Sequence, residues 1–391
     1  MAARGDDPSV WWRPLDGQEP KAPGTHVLAI GISRYQHVED GHDPRGYSTY
    51  GIRQLHSAAL SAFTVANWFR RSHHNPSAPL ASIRLLLSPS PEESTRPELD
   101  QTQSLPPALR HEVVRALYEW RKDCDENRDS VGVLYVSGHG MLLDGETPVI
   151  LLEDFAAEPL VFQNSLNVGS VQRAMSGVLA HAQFYFVDAC QSPTRLRIYQ
   201  GEGRLLDDPR ALDRRDSAPI YYGAAPGQEA YAQTEYGSIF SQALISCLDS
   251  RGADFVRGQW QVSALSLHER LLQAIEEAAR TIEVVQSARV GGMIGHGTLH
   301  VLTRPPMVPI RFLLQPKQVV GSVHGALLNS RMMPLLDPIT FEPNPFEDER
   351  PTGIYGLRLQ AVGLSGDRRE MCEFWAAEVP YGIDSVVWVD E

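Results

Sequence analysis

The sequence predicts an α/β fold over residues 25–303, a mostly parallel six-stranded sheet with helices on both faces, followed by a small all-β domain over 307–391. Three observations predict it. Short apolar runs that read as buried strands alternate with stretches whose apolar residues recur at helical spacing. Such alternation is the mark of strands joined by crossover helices that cover a sheet on both sides. After the step Arg304-Pro305-Pro306 the helical spacing stops.

Taken in order, residues 1–24 are rich in Pro, Gly and charge and read as a loose arm carrying Trp11-Trp12. Residues 26–32, HVLAIGI, form the first strand, 36–54 a polar loop, and 55–70 a helix. Residues 83–87 are the second strand and 88–107 a Ser/Pro/Glu-rich loop. Residues 108–124 form an amphipathic helix with Val113, Leu117 and Trp120 on one side. VGVLYVS at 131–137 is the third strand, with an extra short strand at 149–152. A helix over 168–179 leads to the fourth strand at 183–188, QFYFVD. Residues 192–218 are a strongly polar linker. The fifth strand lies at 219–224, helices at 238–248 and 263–287, and the sixth strand at 298–302. The stretches 310–314, 355–362, 374–379 and 385–389 are the strands of the last domain.

At roughly 100–200 residues per domain, 391 residues allow two or three domains. A chain that is 42% hydrophobic and 21% charged has the composition of a soluble globular protein. The net charge of −13 argues against direct nucleic-acid binding, which needs a positive field. No apolar run approaches the roughly 18 residues that span a bilayer, and the N-terminus has no apolar signal-peptide core. The expected location is the cytoplasm, with no membrane partner. The four cysteines, Cys124, Cys190, Cys247 and Cys372, contain no CxxC pair and suit neither a disulfide framework nor a zinc site. Adjacent His73-His74 lack a carboxylate or Cys partner nearby. No metal and no cofactor is expected.

Two strand ends carry chemistry. The third strand ends in Ser137-Gly138-His139-Gly140 and the fourth in Asp188-Ala189-Cys190-Gln191-Ser192. Ligands of open α/β sheets bind outside the carboxyl ends of the strands. His139 and Cys190 are therefore expected on one edge, within reach of each other if their strands are neighbours. A free thiol is only a few per cent thiolate at neutral pH. A nearby imidazole can take its proton and later protonate a leaving amine. Gly138 and Gly140 are expected to leave room for a substrate backbone and to permit unusual φ/ψ angles. The N–H groups of Gly140 and Cys190 are the candidate oxyanion donors.

This layout resembles the caspase and metacaspase clan of cysteine peptidases, in which the His precedes the Cys by about 50 residues. Here the gap is 51. The resemblance covers roughly 25–303 and includes Gly223-Ala224-Ala225-Pro226-Gly227-Gln228-Glu229-Ala230-Tyr231 and Gly237-Ser238-Ile239-Phe240. Asp-Ala-Cys, rather than the Gln-Ala-Cys of animal caspases, resembles the metacaspase and bacterial form. The resemblance implies a cysteine endopeptidase with His139 and Cys190 as catalytic dyad and Asp188 and Ser137 as substrate-binding residues of the S1 pocket. An acidic pocket implies cleavage after Arg or Lys. Metacaspases have a second pocket Asp where this chain has Ser61, so a neutral P1 residue stays open. Glu153-Asp154 is the nearest match to their acidic calcium cluster.

The linker at 192–218 lies where caspases are cut, and it offers Arg195, Arg197, Arg204, Arg210, Arg214 and Arg215. The alternatives there are self-cleavage and a solvated charged loop. The resemblance also implies a protein substrate and a regulatory protein partner acting through 307–391, in a bacterial defence or cell-death setting. A catalytically silent caspase-fold scaffold is the alternative function.

Overall fold

The computed structural model describes residues 7–14, 21–47, 49–143, 147–193, 203–207, 213, 215–227, 230–233, 237–315, 323–342, 344–362 and 368–389. Its contacts divide the chain into two compact units, 1–247 with 262–301, and 248–261 with 302–391.

The first unit is built on a seven-stranded sheet. Its strands in chain order are β1 (Val10–Trp12), β2 (Thr25–Ile32), β3 (Leu80–Ser88), β4 (Val131–Ser137), β5 (Ala182–Asp188), β6 (Ala218–Tyr222) and β7 (Arg289–Met293). In space the order is β1-β3-β2-β4-β5-β6-β7. The middle five strands are parallel, and the two edge strands are antiparallel to their neighbours. Every residue of β2 and β4 is buried, as strands covered on both faces require.

Five helices accompany the sheet: α1 (Ala58–Ser72), α2 (Arg110–Cys124), α3 (Val168–Ala174), α4 (Ile239–Ser246) and α5 (Ala264–Thr281). Side chains of successive strand residues point to opposite faces. Leu28, Ile30, Leu134, Val136, Tyr185 and Val187 share one core with Val113, Leu117 and Trp120 of α2 and Val171 of α3. On the other face, Tyr135, Phe186 and Tyr221 meet Phe240 of α4 and the start of α5, where the Tyr221 hydroxyl donates to the Ala264 carbonyl at 2.8 Å. Three helix starts are capped by side chains in their own sequence: Asn167 for α3, Ser238 for α4, and Ser263 with Ser266 as a capping box for α5. The first turn of α1 is satisfied from a distance. The Ala59 N–H donates to Ser33 Oγ, and the Leu60 N–H donates to buried Glu93, each at 3.0 Å.

Three details differ from the sequence expectation. The arm at 1–24 is not loose throughout, because β1 pairs with β3 and extends the sheet from six strands to seven. The polar stretch around it conceals two anchors. Asp7 accepts from buried Arg84 at 2.9 Å, and Trp11 packs on Phe63 with the Arg70 guanidinium over its ring. The last strand of the sheet is Arg289–Met293 and not 298–302, since Thr298–Val301 lies outside this sheet. Gly291 and Gly292 hide β7 from an apolar-run reading. Gly292 also has φ +77°, and a Cβ there would lie 2.5 Å from the Ala218 carbonyl oxygen.

The linker is likewise not a fully solvated loop, since Leu205 and Leu206 are buried in the core. The Gly203 carbonyl accepts the Asn167 N–H, and Asp207 accepts the Tyr118 hydroxyl, both at 2.9 Å. Arg195, Arg197, Arg210 and Arg214 lie outside the described residues. Beside the sheet edge, Ser165–Leu166, Thr147–Leu151, Gly140–Leu143 and Ser192–Pro193 form a small four-stranded sheet in that order.

The second unit contains two β-sheets over 307–388. One has the order Phe346–Pro351, Met307–Gln315, Ile383–Trp388, and the other Pro334–Ile339, Val323–Asn329, Gly353–Val362, Arg368–Ala377. Val308, Ile310, Phe312 and Leu314 of the first share a core with Leu327, Tyr355, Leu357 and Leu359 of the second. Among the described residues no helix is long and apolar enough to cross a membrane.

Candidate active site

The register of two neighbouring strands builds the site. β4 and β5 run parallel with Ser137 opposite Asp188, so the turn Gly138–Gly140 and the segment Ala189–Cys190 leave the sheet side by side. The Gly138 N–H donates back to the Asp188 carbonyl at 3.3 Å. The chain then turns into Gly140–Leu143, which pairs with Ser192–Pro193 just beyond Cys190. Gly140 is where the two ends touch, since a Cβ on it would lie 2.1 Å from the Cys190 carbonyl oxygen. The hydrogen of Gly138 likewise faces protein, with the Tyr35 hydroxyl 3.1 Å from where a Cβ would sit. Neither glycine has a positive φ. Their expected role therefore changes: each makes room for neighbouring protein atoms, and neither supplies unusual backbone angles.

His139 is partly buried and held at two points. Its N–H donates to the Tyr35 hydroxyl at 2.8 Å, and that hydroxyl donates to the Ile32 carbonyl at 3.3 Å. The Tyr35 ring packs against the imidazole with centroids 5.1 Å apart. Imidazole Nε2 lies 2.8 Å from the Arg53 carbonyl oxygen. A carbonyl can only accept, so Nε2 carries the proton and Nδ1 keeps its lone pair. Burial holds the imidazole below its ordinary pKa, with the Arg53 hydrogen bond and the Asp40 charge pulling the other way. It is thus a neutral base at neutral pH. Burial also pushes the Tyr35 phenol well up, and the negative charge of a Cys190 thiolate adds to that shift.

Cys190 is the partly buried cysteine of the four, and Cys124 and Cys247 are fully buried. Its sulfur accepts the Ala230 N–H at 3.1 Å. The Leu151 N–H donates to the His139 carbonyl, which makes Gly140 and Ile150 a non-hydrogen-bonded pair. The Gly140 N–H is therefore directed away from that strand, toward the Cys190 side.

Asp188 is 3% exposed. The hydroxyls of Tyr135, Ser137 and Ser238 all converge on its Oδ2, the first two at 2.5 and 3.2 Å. Burial raises its pKa, and the three hydroxyls, Ser238 foremost, pull it down. Ser61 lies one step further out and accepts the Ser238 N–H at 2.9 Å.

Glu153 and Asp154 have structural partners. Glu153 is wholly buried and accepts from Arg34, Gln36 and Ser88, while Asp154 accepts the Arg110 N–H at the start of α2. His73 donates to the Leu299 carbonyl, and the His74 N–H donates to His300 Nδ1. No group of three His, Cys, Asp or Glu side chains converges as metal ligands would among the described residues.

Three contributors to the site had no mark in the sequence, and a fourth, Ala230, entered it only within the segment 223–231. Tyr35 lies between the first strand and the polar loop 36–54, the Arg53 carbonyl lies within that loop, and Ala230 acts through its backbone. Gln286, which binds the segment carrying Ala230, follows α5 almost 100 residues after Cys190. The Arg53 carbonyl and the Ala230 N–H are backbone groups that carry no residue identity, and the Tyr35 hydroxyl and Gln286 amide reach the site from positions that no spacing along the chain links to His139 or Cys190.

The caspase domain family matches residues 27–313. Among solved structures, caspase-1 from Spodoptera frugiperda is similar over 76% of this chain and 97% of its own, with 13% identity and a TM-score of 0.40. No curated protein matches. The family match spans well over half of the sequence and includes both strand ends, and the chain belongs to the caspase domain family of cysteine peptidases.

Proposed function

We propose that the chain is a cysteine endopeptidase that cleaves after Arg or Lys, with Cys190 as nucleophile and His139 as general base and acid. The observation that carries this reading is the β4–β5 register, Ser137 opposite Asp188, which sets the His139 turn beside Cys190. His139 Nδ1 takes the thiol proton, and the sulfur attacks the scissile carbonyl. The N–H groups of Gly140 and Cys190 receive the oxyanion. The imidazolium then protonates the leaving amine, and water releases the thioester acyl-enzyme. The Arg53 carbonyl keeps the imidazole in the tautomer this requires.

The basic P1 preference is supported by Asp188. It is a buried carboxylate whose hydrogen-bond partners among the described residues are three hydroxyls and no cation. All three sit on Oδ2, and Oδ1 is the oxygen offered to a substrate guanidinium or ammonium. A buried carboxylate without a cation favours acquiring one.

The test is a P1-scanning peptide library with wild type, Cys190→Ala and Asp188→Ala. Cleavage after Arg and Lys, lost in Cys190→Ala and stripped of its P1 preference in Asp188→Ala, is expected. Wild-type cleavage by Cys190→Ala would remove the nucleophile assignment, and absence of cleavage by the wild type across the whole library would favour the scaffold reading. A neutral P1 preference would remove only the pocket assignment. A partner acting through 307–391 is supported by exposed Ile354, Phe374, Val386 and Trp388 on the strands of that unit. Val386→Lys with Trp388→Ala should abolish partner-dependent activation and leave the unstimulated rate unchanged.

A further inference from the structure

Residues 223–227 leave the end of β6, residues 230–231 lead to α4, and buried glutamines hold both stretches. Gln286 is 2% exposed. Its Nε2 donates to the Gly223 carbonyl at 2.7 Å, and its Oε1 accepts the Tyr231 N–H at 2.9 Å. One amide thus ties both ends of the segment. Gln191, next to Cys190, donates to the Ala224 carbonyl at 2.7 Å, and its own carbonyl accepts the Gly227 N–H at 2.8 Å. The Tyr231 carbonyl accepts the Ile239 N–H at the start of α4.

The segment held in this way delivers Ala230 to the nucleophile. The Ala230 N–H donates to Cys190 Sγ at 3.1 Å, while the path from the thiol to the Ala230 carbonyl is 3.8 Å. These two contacts do not weigh equally. A close N–H donor stabilises a sulfur anion, and a hydrogen bond to the charged form of a group favours that form. A thiol hydrogen reaching across 3.8 Å gains little. The segment therefore favours thiolate over thiol.

We infer that Gln286 is a positioning residue for the nucleophile: it pins 223–231 at both ends and so holds the Ala230 N–H on Cys190 Sγ, where it stabilises the thiolate. This rests on the reading of Cys190 as nucleophile and adds a residue to it. Among the described residues, the titratable groups on the elements around the sulfur include His139 from the β4 end, Tyr35 from the loop after β2 and Tyr231 beside Ala230. Of the three, Tyr231 is bonded to Gln286, through its backbone N–H, and Gln286→Met keeps all three side chains.

The experiment measures the pH dependence of Cys190 alkylation by iodoacetamide in the full chain, read by mass on the peptide that contains Cys190. Gln286→Met keeps the side-chain volume and removes both hydrogen bonds. Its alkylation midpoint should move up by about one pH unit, an approximately tenfold loss of thiolate below the midpoint, as expected for one hydrogen bond to a charged group. Ala230→Pro removes the donor itself and should shift the midpoint in the same direction, which keeps the test intact if Gln286→Met does not fold. An unmoved midpoint in a folded variant overturns the proposal. So does faster peptide hydrolysis by Gln286→Met at an unmoved midpoint, which would make the segment a shield over the sulfur. Alkylation needs no turnover, so this result is independent of whether any peptide is cleaved.

Discussion

Replacing Gly140 by Ala would put a Cβ 2.1 Å from the Cys190 carbonyl oxygen and 3.0 Å from the Ala189 Cβ. A carbon–oxygen contact settles near 3.3 Å, so about 1.2 Å of movement is needed. The obstructing atoms are backbone and cannot swing aside as a side chain does, so the shift passes directly to the residue that carries the thiol. A misplacement of about 1 Å in a reacting group can cost about 100-fold in rate, and overpacking of this kind costs about 1–3 kcal/mol in stability. Gly140→Ala should therefore lower kcat/KM on an Arg-P1 peptide about 100-fold, with a measurably lower Tm. Gly138→Ala is the control. Its Cβ would meet the Tyr35 hydroxyl at 3.1 Å and Ile32 Cδ1 at 3.2 Å, both side-chain ends that can yield. A loss of less than about tenfold is expected there. Peptide hydrolysis and thermal melting on the same preparations decide it. Wild-type turnover and an unchanged Tm in Gly140→Ala would refute the contact between the two strand ends.

Three further outcomes follow from the charges. His139 is held below 6.5 by burial, so the acid limb of kcat/KM should fall below pH 6.5, and a limb at or above that value would contradict the buried neutral base. Burial also lowers His26 to about 4 and His300 to about 3, so each binds a proton less readily folded than unfolded. Their contribution to stability is full above 6.5 and is lost as pH falls toward the folded values, by about 3 kcal/mol for His26. Urea unfolding between pH 6.5 and 5 should show this slope, and His26→Asn should lack its share. Arg84, 1% exposed between Asp7 and Asp123, ties β1 to the sheet. Arg84→Met should cost about 3 kcal/mol by taking the buried cation from its two carboxylates, and should expose the Trp12–Arg13 bond to chymotrypsin in the native state. Unchanged resistance of the Trp12–Arg13 bond would show that β1 is held by other contacts.

The legible part of this protein lay where side-chain type and chain direction suffice. VGVLYVS and QFYFVD announced themselves as buried strands, and the residues after them, Gly-His-Gly and Ala-Cys, were thereby placed at one sheet edge. Strand 289–293 was not legible because its glycines give no apolar run. The strand at 10–12 was hidden by the charged and Pro-rich residues around it, although Asp7 and Trp11 are what anchor it. The Gly138 and Gly140 roles were misread because the sequence shows that a side chain is missing but not which atoms occupy the space.

The sequence by itself determined the fold class, the placing of the His139 and Cys190 strand ends at one sheet edge and the presence of an acid two residues before Cys190. These follow from local apolar patterning and from the fixed direction of parallel strands. Only the tertiary structure decided the tautomer of His139, through the Arg53 carbonyl, and the gathering of three hydroxyls on one oxygen of Asp188. It alone brought the Ala230 N–H to the sulfur through a glutamine 96 residues along the chain. Each depends on hydrogen bonds between distant segments, often through backbone atoms that every residue shares. Their partners are selected by packing in three dimensions and not by any pattern along the chain.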